Sequence, residues 1–153
     1  MRELKIAITV AIVIIALTIK MAFGADAITE LFMRYNPRQA ETLAQIVREA
    51  GKAYNVDPNI IAAIIVHESS VRPNVISRGG DYGLMQVRWI FHKDKVSKAS
   101  DLLEPRTNVL VGTRIFAEYY AQKKTVRGAL LRYSGGNRAL ADKVMRTASG
   151  LGE

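Results

Sequence analysis

The sequence predicts a mainly α-helical domain broken once, by an irregular loop with at most a small strand pair around residues 72–90. Three observations carry this. Apolar residues recur at helical spacing in the long segments on either side of that interval. Inside it, in RPNVISRGGDYG, turn-forming Pro, Asn, Ser, Gly and Asp concentrate. The length of 153 residues suits one domain with a real core, since a chain near this size buries roughly 68–70% of its unfolded surface. The chain has no cysteine, which excludes a disulfide framework, a thiol nucleophile and a cysteine-bound metal.

The first element is read as a leader. Arg2 and Lys5 precede an apolar run over residues 6–19 that ends at Lys20, and small residues follow at Ala22, Gly24, Ala25 and Ala27. A basic start, a short apolar run and a small-residue site make residues 1–27 a secretory signal peptide, cut after Gly24 or Ala27. The run falls short of the about 20 apolar residues of a full membrane span. An uncleaved anchor, with residues 6–23 in a membrane and Lys20 reaching its interface, is the alternative. Either way residues 28–153 are expected outside the cytoplasm, in the periplasm or cell envelope.

The helices follow in order. ITELFMRY (28–35) forms a short helix that Asn36-Pro37 ends. Residues 38–54 place Leu43, Ile46, Val47, Ala50 and Tyr54 on one face, so an amphipathic helix ends near Asn55. Asp57 suits an N-cap and Pro58 the first helical position, which starts the next helix. On it Ile61, Ile64, Ile65 and Glu68 share a stripe. After the loop, residues 104–122 form a helix whose buried face is Val109, Ile115, Phe116, Tyr119 and Tyr120, and two short helices (125–136 and 137–150) meet at Gly135-Gly136.

Glu68 is the most informative residue. A carboxyl on an apolar stripe is desolvated, which disfavours its charged form and suits a proton donor working near neutral pH. The plainer reading is a polar residue that reaches solvent from a helix end. Other chemistries find little support. HESSV (67–71) lacks the second histidine of a zinc helix, no G-x-S-x-G occurs, and Gly79, Gly80 and Gly83 read as turn formers without the flanks of a phosphate loop. His67 points about 100° away from Glu68 and reads as structural.

The net charge is +8; without Arg2, Lys5, Lys20 and Glu3, 19 basic and 13 acidic residues remain, a net +6. Basic charge raises encounter with anionic polymers. The basic residues are scattered and no nucleic-acid motif appears, so a nucleic-acid partner is not expected. A core-facing carboxyl together with Asp81, Gln86, Tyr133 and Ser134 suits glycosidic chemistry, which needs an acid for the leaving oxygen and a group to stabilise a cationic centre.

Here a specific resemblance enters. HESSVRP (67–73), DYGLMQV (81–87), LLEPRTNVLVG (102–112) and ALLRYSGG (129–136) resemble the four successive motifs of the soluble-lytic-transglycosylase-like (SLT) domain, of the lysozyme-like superfamily, in the family's order. The resemblance implies a lysozyme-like fold and a peptidoglycan lytic transglycosylase acting without metal or organic cofactor. Glu68 would be its single acid and base, cleaving between N-acetylmuramic acid and N-acetylglucosamine to leave 1,6-anhydro ends. It further implies substrate-groove roles for Ser69, Ser77, Met85, Gln86 and Ser134, and support of the glutamate by Tyr133. Their plain alternatives are a core Met85, a buried Tyr133 ring and a turn serine at Ser77.

Two features depart from the commonest family pattern. Ser134 stands where the family usually has Asn. Asp81 resembles an acidic residue of small members associated with secretion, conjugation and phage, which suggests such an assembly as a partner. It would stabilise the cationic centre, position water as in a hydrolytic muramidase, or merely cap a turn. The expected substrate is the peptidoglycan glycan strand and the expected state a monomer. A weakly active wall-binding assembly protein is the non-enzymatic rival.

Overall fold

The computed structural model describes residues 26–152, so the signal peptide or anchor expected over residues 1–27, its membrane run at 6–23 and the cut after Gly24 lie outside the described residues or at their very edge. Six α-helices occur among the described residues: α1 Ala27–Met33, α2 Ala40–Tyr54, α3 Pro58–Ser69, α4 Pro105–Lys123, α5 Val126–Tyr133 and α6 Arg138–Gly150. A two-stranded antiparallel hairpin, β1 Asp81–Tyr82 and β2 Val87–Arg88, and two 3₁₀ turns, Trp89–Phe91 and Ala99–Leu103, fill the interval between α3 and α4. The mainly α reading with one excursion at 72–90 therefore holds, and no described helix is long and apolar enough to cross a membrane.

Side chains stop and start the helices as their chemistry requires. Asp26 caps α1 by accepting from the Ile28 and Thr29 amides at 3.1 and 3.3 Å, and pairs with Arg48 of α2 at 2.7 Å. Asp57, Glu104, Thr125 and Asn137 accept from the first-turn amides of α3, α4, α5 and α6. Each such cap contributes on the order of 1 kcal/mol. Asn55 ends α2 in the left-handed conformation, with its amide donating to the Gly51 carbonyl.

The centre of the domain is α3. Every residue from Ile61 to Val66 is buried, so this helix is covered all round and not on one stripe, which corrects the single-face expectation. It packs against α6 and α2, while α2 also packs on α1 and α4, and α5 joins α4 to α6. Phe32, Leu43, Val47, Ile61, Ile64, Ile65, Leu102, Val109 and Phe116 form the core around it. Each such side chain stabilises by roughly 1.5–3 kcal/mol. A second correction concerns α4: Val109, Ile115 and Phe116 are buried, but Tyr120 is 44% exposed. Asn108, Gly112 and Thr113 take the inner face instead.

The end of α3 is abrupt. Ser70 and the buried Val71 both hold positive φ, 52° and 58°. A β-branched residue there is strained by about 1–3 kcal/mol. The surroundings hold it: Asn36 Nδ2 donates to the Val71 carbonyl at 3.1 Å, and Arg72 Nε donates to the Ser69 carbonyl at 2.9 Å. The helix thus stops one residue after Glu68 and the chain turns away into the loop.

Two glycines let the hairpin reach α4. Gly83 has φ 71°, and a Cβ there would stand 2.3 Å from the Leu102 carbonyl oxygen. A Cβ on Gly112 would stand 2.6 Å from Met85 Sδ and 2.8 Å from Met85 Cβ. Met85 is fully buried, and its Cβ, fixed to the backbone, is among the atoms met. Gly112→Ala is therefore expected to lose about 1–3 kcal/mol by overpacking. Urea unfolding reads this as a lowered midpoint; an unchanged midpoint would mean that α4 and Met85 separate freely.

Candidate active site

Where α3 ends, the hairpin and α4 to α6 enclose a groove of ≈ 770 Å³ lined by Glu68, Asp81, Gln86, Tyr133 and Ser134 among others. Five of the residues singled out from sequence are thus gathered from three separate stretches of chain, the end of α3, the hairpin and the end of α5. Ser69, Ser77 and Met85 are not in the lining.

Glu68 lies largely buried against this groove, and among the described residues no side chain or amide donates a hydrogen bond to its carboxyl group. Burial raises its pKa, and the nearby Asp81 carboxylate raises it further, from the usual 4.5 to about 7. A carboxylate without donors has nothing to favour its ionised form. At neutral pH a large fraction of Glu68 therefore carries a proton, as a general acid requires.

Asp81 is the opposite case. The register of the hairpin sets Asp81 directly across from Arg88. Arg88 Nε reaches Oδ1 at 2.6 Å and Nη2 reaches Oδ2 at 2.8 Å, while Ser77 Oγ donates to Oδ2 at 2.7 Å. The hydrogen bonds from Arg88 lower the Asp81 pKa against the effect of burial, with Ser77 adding to them. One carboxyl is pushed toward its neutral form and its neighbour toward its ionised form, which is how two acids in one groove take different roles.

Tyr133 donates its only hydroxyl proton to the Met85 carbonyl at 2.8 Å. Toward the rest of the groove the phenol offers oxygen lone pairs alone. Burial, then Glu68, Tyr119 and Asp81, push its pKa well above the ordinary value. The ring is packed at 6.4 Å from both Phe116 and Tyr119. Gln86, at φ 48°, spends its amide nitrogen on the Gly83 and Val75 carbonyls at 2.8 and 3.2 Å, so only its carbonyl oxygen remains for a ligand. Ser134 turns its hydroxyl to the carbonyls of Asn137 and Leu131 at 3.3 and 3.5 Å.

The three residues outside the lining have structural positions. Ser69 is 2% exposed and donates to the Ile65 carbonyl at 3.0 Å. Met85 fills the space over Gly112 and supplies the carbonyl that Tyr133 grips. Ser77 accepts from the Gly79 and Asp81 amides and fixes the Asp81 carboxylate. His67 joins α3 to α6 through Thr147 Oγ1 at 2.8 Å, the structural position expected of it.

Sequence reading missed two residues that organise the groove. Asn108 of α4 is fully buried and makes three hydrogen bonds: it accepts from the Met85 amide at 2.8 Å and donates to the Tyr82 and Leu102 carbonyls at 2.7 and 2.8 Å. Its signal was available, since Asn108, Gly112, Ile115 and Phe116 share one helical stripe just as Glu68 shares one with the isoleucines. The other is Arg88. Reading DY and VR as strands around GLMQ would have set it opposite Asp81. Phe91, 71% exposed, and Arg132, stacked 5.5 Å from the Tyr119 ring centre, also line the groove.

A helical domain whose central helix delivers a desolvated glutamic acid into an open groove, beside a small hairpin, is a lysozyme-like domain. The transglycosylase SLT domain matches residues 45–151, and the chain belongs to that family. Family membership gives it a lytic-transglycosylase type of function with peptidoglycan as the substrate class.

Proposed function

We propose that this chain is a peptidoglycan lytic transglycosylase in which Glu68 serves first as acid and then as base. Glu68 gives its proton to the glycosidic oxygen between N-acetylmuramic acid and N-acetylglucosamine, and the bond from that oxygen to the anomeric carbon breaks. The resulting carboxylate then takes the proton of the muramic 6-hydroxyl as its oxygen bonds to the anomeric carbon. The product is a 1,6-anhydro end, and Glu68 is again protonated. The observation that carries this reading is the desolvated, donor-free Glu68 carboxyl at the groove, with a pKa of about 7.

Tyr133 supports the glutamic acid. With its proton committed to Met85, it has none to donate to the Glu68 carboxylate and so adds nothing that favours the ionised form. Gln86 offers its carbonyl oxygen to sugar hydroxyls or N-acetyl amides. A hydrolytic muramidase needs a base free to hold water, and both Asp81 oxygens are already engaged. The basic leader-free charge favours encounter with an anionic wall polymer. We place the domain in the periplasm or cell envelope, on the pattern of residues 1–27, where a small basic wall-cutting domain suits a secretion, conjugation or phage assembly.

Mass spectrometry of muropeptides released from purified sacculi tests the reaction. Anhydro-ended products are expected, and reducing ends as the main products would overturn the transglycosylase assignment. A pH series adds an independent check. Since the reactive form is the protonated one, kcat/KM should fall about tenfold per pH unit above pH 7. A rate that keeps rising to pH 9 would remove Glu68 as the acid.

A further inference from the structure

The ion pair facing Glu68 has the geometry of a clamp. Two guanidinium nitrogens of Arg88 and the Ser77 hydroxyl occupy three of the roughly four acceptor positions of the Asp81 carboxylate. The clamp is built in at the backbone level as well. Asp81 and Arg88 are cross-strand partners. A Cβ on Gly79 would stand 2.7 Å from Arg88 Nη2, so glycine at that position leaves the guanidinium its seat. Asp81, Arg88 and Glu68 line the same groove.

Resting on the transglycosylase reading, we propose that Arg88 is a product-determining positioning residue: by clamping the Asp81 carboxylate it keeps that group from activating water, so that the muramic 6-hydroxyl is left as the nucleophile. An acid with a second, free carboxylate in one groove is the apparatus of glycoside hydrolysis. In that reaction Glu68 would protonate the leaving oxygen, a water oxygen would bond to the anomeric carbon, and the water proton would pass to Asp81. The acid is the same in both reactions. What differs is how many lone pairs the second carboxylate has to spare, and Arg88 takes two of the roughly four while Ser77 takes a third.

The test uses the purified full chain on intact sacculi, with released ends sorted by mass, since an anhydro end is lighter than a reducing end by one water. General-base assistance is typically worth about 10²–10⁴-fold, so partial release of Asp81 in Arg88→Gln is expected to raise the ratio of reducing to anhydro ends by about tenfold or more. Arg88→Lys should lie between that variant and the unaltered protein. Adding Asp81→Asn to Arg88→Gln should restore the original ratio. Ser77→Ala, which frees one Asp81 position and leaves Arg88 in place, should raise the ratio less.

An unchanged ratio in both Arg88→Gln and Ser77→Ala overturns the inference. So does a raised ratio that persists with Asp81→Asn, because water would then be activated elsewhere. If Arg88→Gln is folded by circular dichroism but releases nothing, Arg88 acts on the substrate directly and the clamp is likewise overturned. Failure of the underlying reading looks different: there the unaltered protein itself releases reducing ends.

Discussion

Glu68→Gln is expected to abolish wall cleavage while making the folded protein more stable. The amide keeps the shape of the side chain and has no acidic proton to give, so both halves of the proposed reaction would lose their carrier. General acid–base assistance contributes about 10²–10⁴-fold per step, and loss of a residue used twice, as proposed for Glu68, should leave activity at or below the lower end of detection. Any variant that still releases anhydro ends at a tenth of the original rate would show that the proton comes from another group.

The gain in stability follows from linkage. A carboxyl whose pKa is about 7 in the folded chain and near 4.5 unfolded binds more protons when folded between those values. Stability therefore falls as pH rises through that window, and above pH 7 the chain carries a penalty on the order of 2–3 kcal/mol. Glu68→Gln removes it. The variant should match the original protein below pH 4.5, pull ahead between pH 4.5 and 7, and hold a constant advantage above. His67 and His92 contribute a slope of the opposite sign: burial first, then Lys143 and Arg146 at His67 and Lys95 against Asp94 and Glu118 at His92, leaves both pKa values lowered, so stability is lost as pH falls from 6.5 through their folded values. Subtracting the two melting curves at each pH cancels those histidines. A difference that does not change between pH 4 and 8 would show that Glu68 is solvated in the folded chain.

The second large effect is expected at Asn108. Asn108→Ala leaves the Met85 amide and the Tyr82 and Leu102 carbonyls without their partner inside the core. An unsatisfied buried polar group costs about 1–3 kcal/mol, and the three share one space that a water can partly serve, so a loss of about 3–5 kcal/mol is expected. Function should suffer beyond stability. The same hairpin carries Asp81 and Gln86 and offers the Met85 carbonyl to Tyr133. Activity measured well below the melting temperature should therefore drop, mainly in kcat. Asn108→Asp keeps the acceptor for Met85 but sets a carboxylate against two carbonyl oxygens, and it should be destabilised as well. A loss under 1 kcal/mol in Asn108→Ala by urea unfolding would refute this view of the residue.

Much of the fold was legible along the chain because its signals are local. Asp57-Pro58 starts α3 where expected, Asn55 ends α2 as a left-handed cap, and Gly135-Gly136 separates the last two helices, both glycines at positive φ. Four motifs in family order carried the lysozyme-like reading, and the matched region extends it to residues 45–151. The faces were less secure. The pattern around Ile61 suggested a stripe where the helix is buried all round, and Tyr120 was placed inside but lies outside. Periodicity marks which residues of a helix resemble one another; how many neighbours surround that helix is a property of the assembled domain.

What the sequence by itself determined is the set of helices, the presence of Glu68 on apolar ground and the family. What only the tertiary structure decided is the state of each carboxyl. Asp81 and Arg88 are seven residues apart along the chain and become partners only through the register of a four-residue strand pair. Asn108 reaches Met85 across 23 residues, and Tyr133 reaches the same residue across 48. Whether a carboxyl is protonated depends on the water, donors and charges within a few ångströms of it, and those neighbours come together only when distant segments pack.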